Sequence, residues 1–142
     1  MLASARDRRG HSRPGVAAVE MAVLLPFLAL MFAITVDFAR VYYYDLTLTN
    51  CARNGALYGC SSPTNSTDTA GIQAAALQDA ANLATQPKVS SSTGTDAEGF
   101  PYVDVTVKWT FKSFTRYVGL KNSLPLTRTV RMRVAPKLPK NS

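Results

Sequence analysis

The chain has 142 residues and a formal net charge of +7, one domain's worth of polypeptide, part of which is not globular. The charge is polarised: Arg6, Arg8, Arg9 and Arg13 crowd the start, Asp68 to Asp104 is mostly acidic, and nothing acidic follows Lys108. Two function classes drop out. The basic residues from Lys108 to Lys140 follow strand-like alternation without a groove-reading motif, so they read as a solvated face and tail, and no nucleic-acid partner is expected. The single histidine, His11, lies near the N-terminus, which leaves no conventional catalytic triad, and there is neither a G-x-S-x-G element nor a glycine-rich phosphate loop. Catalytic, cofactor-binding and metal-ligating residues are expected to be absent.

Residues 1–15 form a short basic leader, and residues 16–36 follow as an apolar run with Glu20 its only charge. As a helix the run spans about 32 Å, matching a hydrocarbon core of roughly 30 Å. Arginines before it place the N-terminus in the cytoplasm and the remainder outside by the positive-inside rule. A cleaved signal peptide fits poorly, because the run exceeds the usual apolar length and no small-x-small site follows. Membrane lipid is the partner this run implies.

Glu20 is the anomaly. An acid near the bilayer centre costs about 2.5–3.5 kcal/mol, and less near an interface. One reading is an interfacial acid of no consequence. The other needs a cation, and cutting after Gly15 would supply one as a free α-amine on Val16, making Glu20 the fifth residue of the new chain. Between neighbouring helices, that carboxylate would neutralise an adjacent amine and set the axial register. Pro26, inside the run, removes a backbone hydrogen bond and can kink or loosen the helix.

The helical pattern continues through "VDFARVYYYDLTLTNCARNGALYG", Val36 to Gly59, with apolar residues at three- to four-residue steps. A stalk helix over residues 37–60 is expected, continuous with the span. Tyr42, Tyr43 and Tyr44 suit either the membrane interface or packing on a globular head.

The leader, Gly15, the apolar helix and the acid at the fifth position after it resemble a type IV prepilin. Ala18 to Pro26, Asp37 to Arg40, and Thr49 to Ala56 narrow this. They are similar to the A-x-E-[FM]-A-x-x-x-P, acid-x-x-R and T-N-x-A-R-x-G-A elements of TadE-like minor pilins, or pseudopilins, of tight-adherence pilus systems. Two departures stand beside these matches: Val16 and Glu20-Met21 occupy places where many prepilins have an aromatic and Glu-Tyr. The resemblance implies a membrane-anchored, non-catalytic pilus component. Its implied partners are a prepilin peptidase cutting between Gly15 and Val16, major and minor pilin subunits, and the inner-membrane assembly platform. The implied location is the cytoplasmic membrane, single-pass, with the head extracytoplasmic and the chain incorporated into a surface pilus or confined to priming its assembly. The alternative is an unprocessed bitopic protein whose head binds an envelope or surface partner.

Cys51 and Cys60 lie about 13 Å apart if the helix is unbroken, too far for a bond. A disulfide requires a break, for which Asn54-Gly55 and Gly59 offer places; two free thiols are the alternative. Residues 61–135 are expected as a small α+β head. Ser61 to Thr69 reads as a loop, Ala70 to Thr85 as a helix stopped near Pro87, and "SSSTGTDAEG" as a second loop. Tyr102 to Lys112 alternates as a strand, and Leu126 to Val134 as another with one polar intruder, Arg128, on its apolar face. Ser113 to Pro125, holding Phe114, Tyr117 and Leu120, reads as a helical turn or covering loop, and residues 136–142 as a flexible tail. An antiparallel sheet with a helix packed on one face follows.

Overall fold

A computed structural model of the chain describes residues 14–113 and 123–136. The leader before Pro14 with His11, the Phe114 to Leu120 segment and tail residues 137–142 lie outside the described residues. The fold is α+β: one long helix, two short helices and a three-stranded antiparallel sheet. Two compact units meet in sequence between Thr35 and Val36.

Helix α1 runs Pro14–Cys60, starting on a proline whose fixed φ and missing N–H suit a first helical turn. In the first unit, residues 15–32 are exposed all round, with Val23 and Phe32 each 71% exposed. Glu20 is the only charge on that surface, so no polar face exists to meet water. This is the one helix among the described residues long and apolar enough to cross a membrane. Pro26 lies within it without ending it.

In the second unit α1 becomes a core helix. Leu48, Cys51, Ala52 and Ala56 are fully buried. Residues 36–60 therefore belong to the same compact unit as the sheet. Small residues make this possible. A Cβ on Gly55 would stand 3.1 Å from both Ala76 Cβ and Val105 Cγ1, and one on Gly59 would stand 3.2 Å from Val103 Cγ2. Any side chain at Gly55 crowds two neighbours at once.

After Cys60 the chain turns through Ser61, whose N–H and Oγ both donate to the Tyr58 carbonyl, at 3.3 and 2.8 Å. The expected loop contains a short helix, α2, Pro63–Thr67. Ser62 Oγ accepts from the Asn65 N–H at 3.1 Å and Pro63 fills the first turn, a cap written in residues that also suit loops. Helix α3, Thr69–Leu77, is shorter than expected. It tightens into a 3-10 turn at Gln78–Ala80, and the Leu83 N–H then bonds the Ala80 carbonyl at 3.1 Å. The tighter winding turns both Ala80 and Leu83 into the core.

The strands are β1 Lys88–Thr95, β2 Pro101–Lys112 and β3 Ser123–Arg133, in the order β1-β2-β3. β1 corrects the second expected loop. Its Ser/Thr/Gly composition imitates a loop, yet it pairs with β2 from Lys88↔Lys108 to Thr95↔Pro101. The turn between them is fixed by Asp96, whose Oδ1 accepts from Glu98 N–H at 3.1 Å and Phe100 N–H at 2.8 Å. Gly99 has φ +87°, a conformation that side chains resist.

Val103, Val105, Val107 and Phe111 of β2 and Leu126 of β3 face inward against α1, with Ile72 of α3 in the same cluster. The opposite face is polar, carrying a Thr106–Thr129 hydroxyl bond of 2.8 Å and an Arg131–Asp104 pair with both bonds at 2.7 Å. The C-terminal end is clipped back: Val134 N–H donates to Pro101 O and Ala135 N–H to Cys60 O, each at 2.8 Å.

Candidate functional site

Gly15 and Val16 lie in the first turn of α1, and a Cβ on Gly15 would meet nothing within 4 Å. Glu20 follows Val16 by four residues, about one turn, on the exposed surface. Among the described residues it has no hydrogen-bond or ion-pair partner. The described protomer therefore brings Gly15, Val16 and Glu20 onto one short stretch of helix without giving the carboxylate a mate.

Asp37, the second residue of the second unit, is buried, at 8% exposure. Ser113 Oγ, at the end of β2, donates to its Oδ2 at 2.6 Å, and Arg40 Nη1 stands 3.4 Å from its Oδ1. The Arg40 guanidinium also lies 5.3 Å from the Phe111 ring centroid. The acid-x-x-R spacing thus serves to tie one helical turn to the end of a strand. Ser113 carried no signal of this in the sequence.

Asp45, two turns on, meets the polar intruder of β3. Arg128 Nη2 stands 2.6 Å from Asp45 Oδ1, close enough for an ion pair although the angle makes no hydrogen bond. The sequence did hold that signal: an arginine on an otherwise apolar strand face needs an anion facing it. Its partner was not legible, because the pairing spans helix and sheet.

The tyrosine cluster divides. Tyr44 packs at 4.9 Å from Trp109 and 5.8 Å from Phe111, while Tyr42 and Tyr43 remain exposed. Tyr43 Oη accepts from Asn82 Nδ2 at 2.7 Å. Further along, Thr49 to Ala56 places Cys51, Ala52, Gly55 and Ala56 in the core.

A family model described as TadE-like protein matches residues 15–57. This segment is similar to TadE-like proteins. The TadE-like match begins at the glycine of the junction, includes the apolar span and the Asp37–Arg40 pair, and ends in the core-facing part of α1. It stops before the sheet, so the α+β architecture beyond residue 57 rests on the structure. No curated protein and no solved structure matches the chain.

Helix α1 does not break between Cys51 and Cys60, and both are free thiols. Burial, and secondarily the charge of Asp79, pushes the Cys51 thiol up from its ordinary range, which keeps it protonated and unreactive.

Proposed function

We propose that this chain is a membrane-anchored minor pilin or pseudopilin that supports assembly of a tight-adherence, type IV-like pilus. The observation that carries the reading is the TadE-like match over residues 15–57 together with Glu20, unpartnered among the described residues, one turn into an otherwise apolar helix. Prepilin peptidase cuts between Gly15 and Val16, and the amine so made on one subunit receives the Glu20 carboxylate of another. The span then sits in the cytoplasmic membrane with residues beyond it outside the cytoplasm. Pro26 eases the helix where neighbours pack against it. No catalytic step is assigned to this chain; in processing it is the substrate.

Intact mass and N-terminal sequence of the membrane-extracted protein, made with and without the peptidase, test the junction. A peptidase-dependent start at Val16 supports it, while an intact N-terminus beside an active peptidase overturns it in favour of an unprocessed bitopic binder. Glu20→Gln tests the register separately. The variant should reach normal membrane levels, be cut normally and fail to support pilus output; unchanged output removes the role given to Glu20.

A further inference from the structure

The polar face of the sheet is divided by charge. At one end Asp104 is paired with Arg131, and Arg133 reaches Asp96 at 2.9 Å and Glu98 at 2.6 Å. At the other end Lys88, Lys108 and Lys112 are all exposed. The β1–β2 register sets Lys88 directly opposite Lys108 on that face, an arrangement of like charges that opposes strand pairing. Asp104 is the only acid among the strand positions of this face, and it stands four residues from Lys108, about 13 Å along the strand. The two acids of α1 at the lysine end are engaged elsewhere: Asp37 with Ser113 and Arg40, Asp45 with Arg128. The lysine pair thus faces outward with no anion among the described residues of its own unit set against it.

Lys88 and Lys108 also border an open pocket whose other walls include Thr85, Thr110, Pro125 and Thr127. Hydroxyls beside two ammonium groups suit an oxyanion such as a phosphate. The position of this end in the chain identifies the source. Ser113 directly follows Lys112 and bonds Asp37, the second residue of the unit, so the lysine end of the sheet is the end at which the chain enters from the apolar span. Phe38 and Tyr42 are exposed on the first turns there, at 73% and 67%, as side chains of a membrane interface are.

We infer that Lys88, Lys108 and Lys112 form a contact surface for the phosphates of anionic lipid headgroups at the membrane the chain spans. This rests on the reading of residues 16–36 as a span. An anionic surface attracts clustered lysines within a Debye length and relieves the Lys88–Lys108 repulsion. A neutral, zwitterionic surface supplies far less of that attraction.

The full chain in lipid nanodiscs, neutral or containing anionic phosphatidylglycerol, provides the test. The three lysines are acetylated with a water-soluble reagent and their rates read by peptide mass spectrometry. Anionic lipid should slow Lys88, Lys108 and Lys112 by about threefold or more, and high salt should abolish the protection. Lys88→Gln/Lys108→Gln should lessen the protection remaining at Lys112. Equal rates in the two kinds of disc overturn the inference, as does protection by inorganic phosphate on neutral discs with none from anionic lipid. A chain that fails to enter the discs at all defeats the span reading instead, so the two failures are told apart.

Discussion

Asp45 and Arg128 carry a clear energetic consequence at the scale of single residues. Their side chains are 22% and 46% exposed, so solvent screens the pair and limits its worth to about 1 kcal/mol. Removing only the arginine does more harm, because Asp45 Oδ1 is buried and would keep its charge without a cation beside it. Arg128→Leu should therefore destabilise the fold by about 1–2 kcal/mol, and Asp45→Leu in addition should recover part of that loss. Chemical denaturation of the four members of this cycle reads the coupling. Equal stability of the single and double variants would remove the ion pair from the account. Arg128 also shows what a sequence discloses at this scale: the need for an anion is visible, and its identity is not. Ser113 and Asn82, which complete polar contacts of α1, are ordinary polar residues whose partners lie 76 and 39 positions away.

Between elements, three carboxylates fix the joints. Asp68 caps α3 through the Gly71 N–H at 3.0 Å and accepts from the Tyr58 hydroxyl at 2.7 Å. Those bonds, the Gly71 one foremost, hold its carboxyl below the ordinary range. Asp96 is held low chiefly by the Phe100 N–H of the β1–β2 turn, and Asp104 chiefly by Arg131. A carboxyl depressed by folding contributes stability above its unfolded value, near 3.9, and loses it as the pH falls through the folded value. The melting temperature should thus be level from about pH 7 to 5 and fall below about pH 4, with a shallower fall in Asp96→Asn. A melting temperature unchanged to pH 3, or one already falling between pH 7 and 5, would contradict this. Tyr58, raised by its bond to Asp68, adds stability that is lost above its unfolded value near 10.

Element types were legible where periodicity was strong. The helix from the apolar run to Cys60 and the alternation of β2 gave their own evidence, because one face repeated every three to four residues or every two. β1 was not legible. Val89 is its one large aliphatic residue, and the serines and threonines around it acquire strand geometry only by pairing with β2. α2 and the 3-10 turn failed for a related reason: their short windings depend on a cap and on core contacts that periodicity does not report.

For the whole molecule, the decisive feature is that the second unit owns its core. Leu48, Cys51, Ala52 and Ala56 supply the helical side from within residues 36–60, and the sheet supplies the other. A chain starting at Val36 should therefore fold without the apolar segment and melt cooperatively, with near-ultraviolet dichroism from Tyr44 and Trp109 lost in the same transition. A gradual melt or an absent aromatic signal would mean that the span is needed to complete the fold. The candidate site was legible to a different degree. Gly15, Val16 and Glu20 could be picked out from charge and spacing, since an acid in an apolar helix is conspicuous. Its mate could not, because none exists within the described residues of one chain.

The order in which this polypeptide is made adds a consequence in time. The core-facing stretch of α1 leaves the ribosome before the rest of the second unit, whereas β3 and the clip from Ala135 to Cys60 come after the other elements. At about 5–20 residues per second, roughly 4–15 s separate synthesis of Ala56 from synthesis of Arg133. Throughout that interval Leu48, Ala52 and Ala56 have a helix to sit on and no completed sheet to cover them. The nascent second unit must wait, half-made and sticky, until its last strand is delivered, which makes those seconds the period when it most needs protection from aggregation.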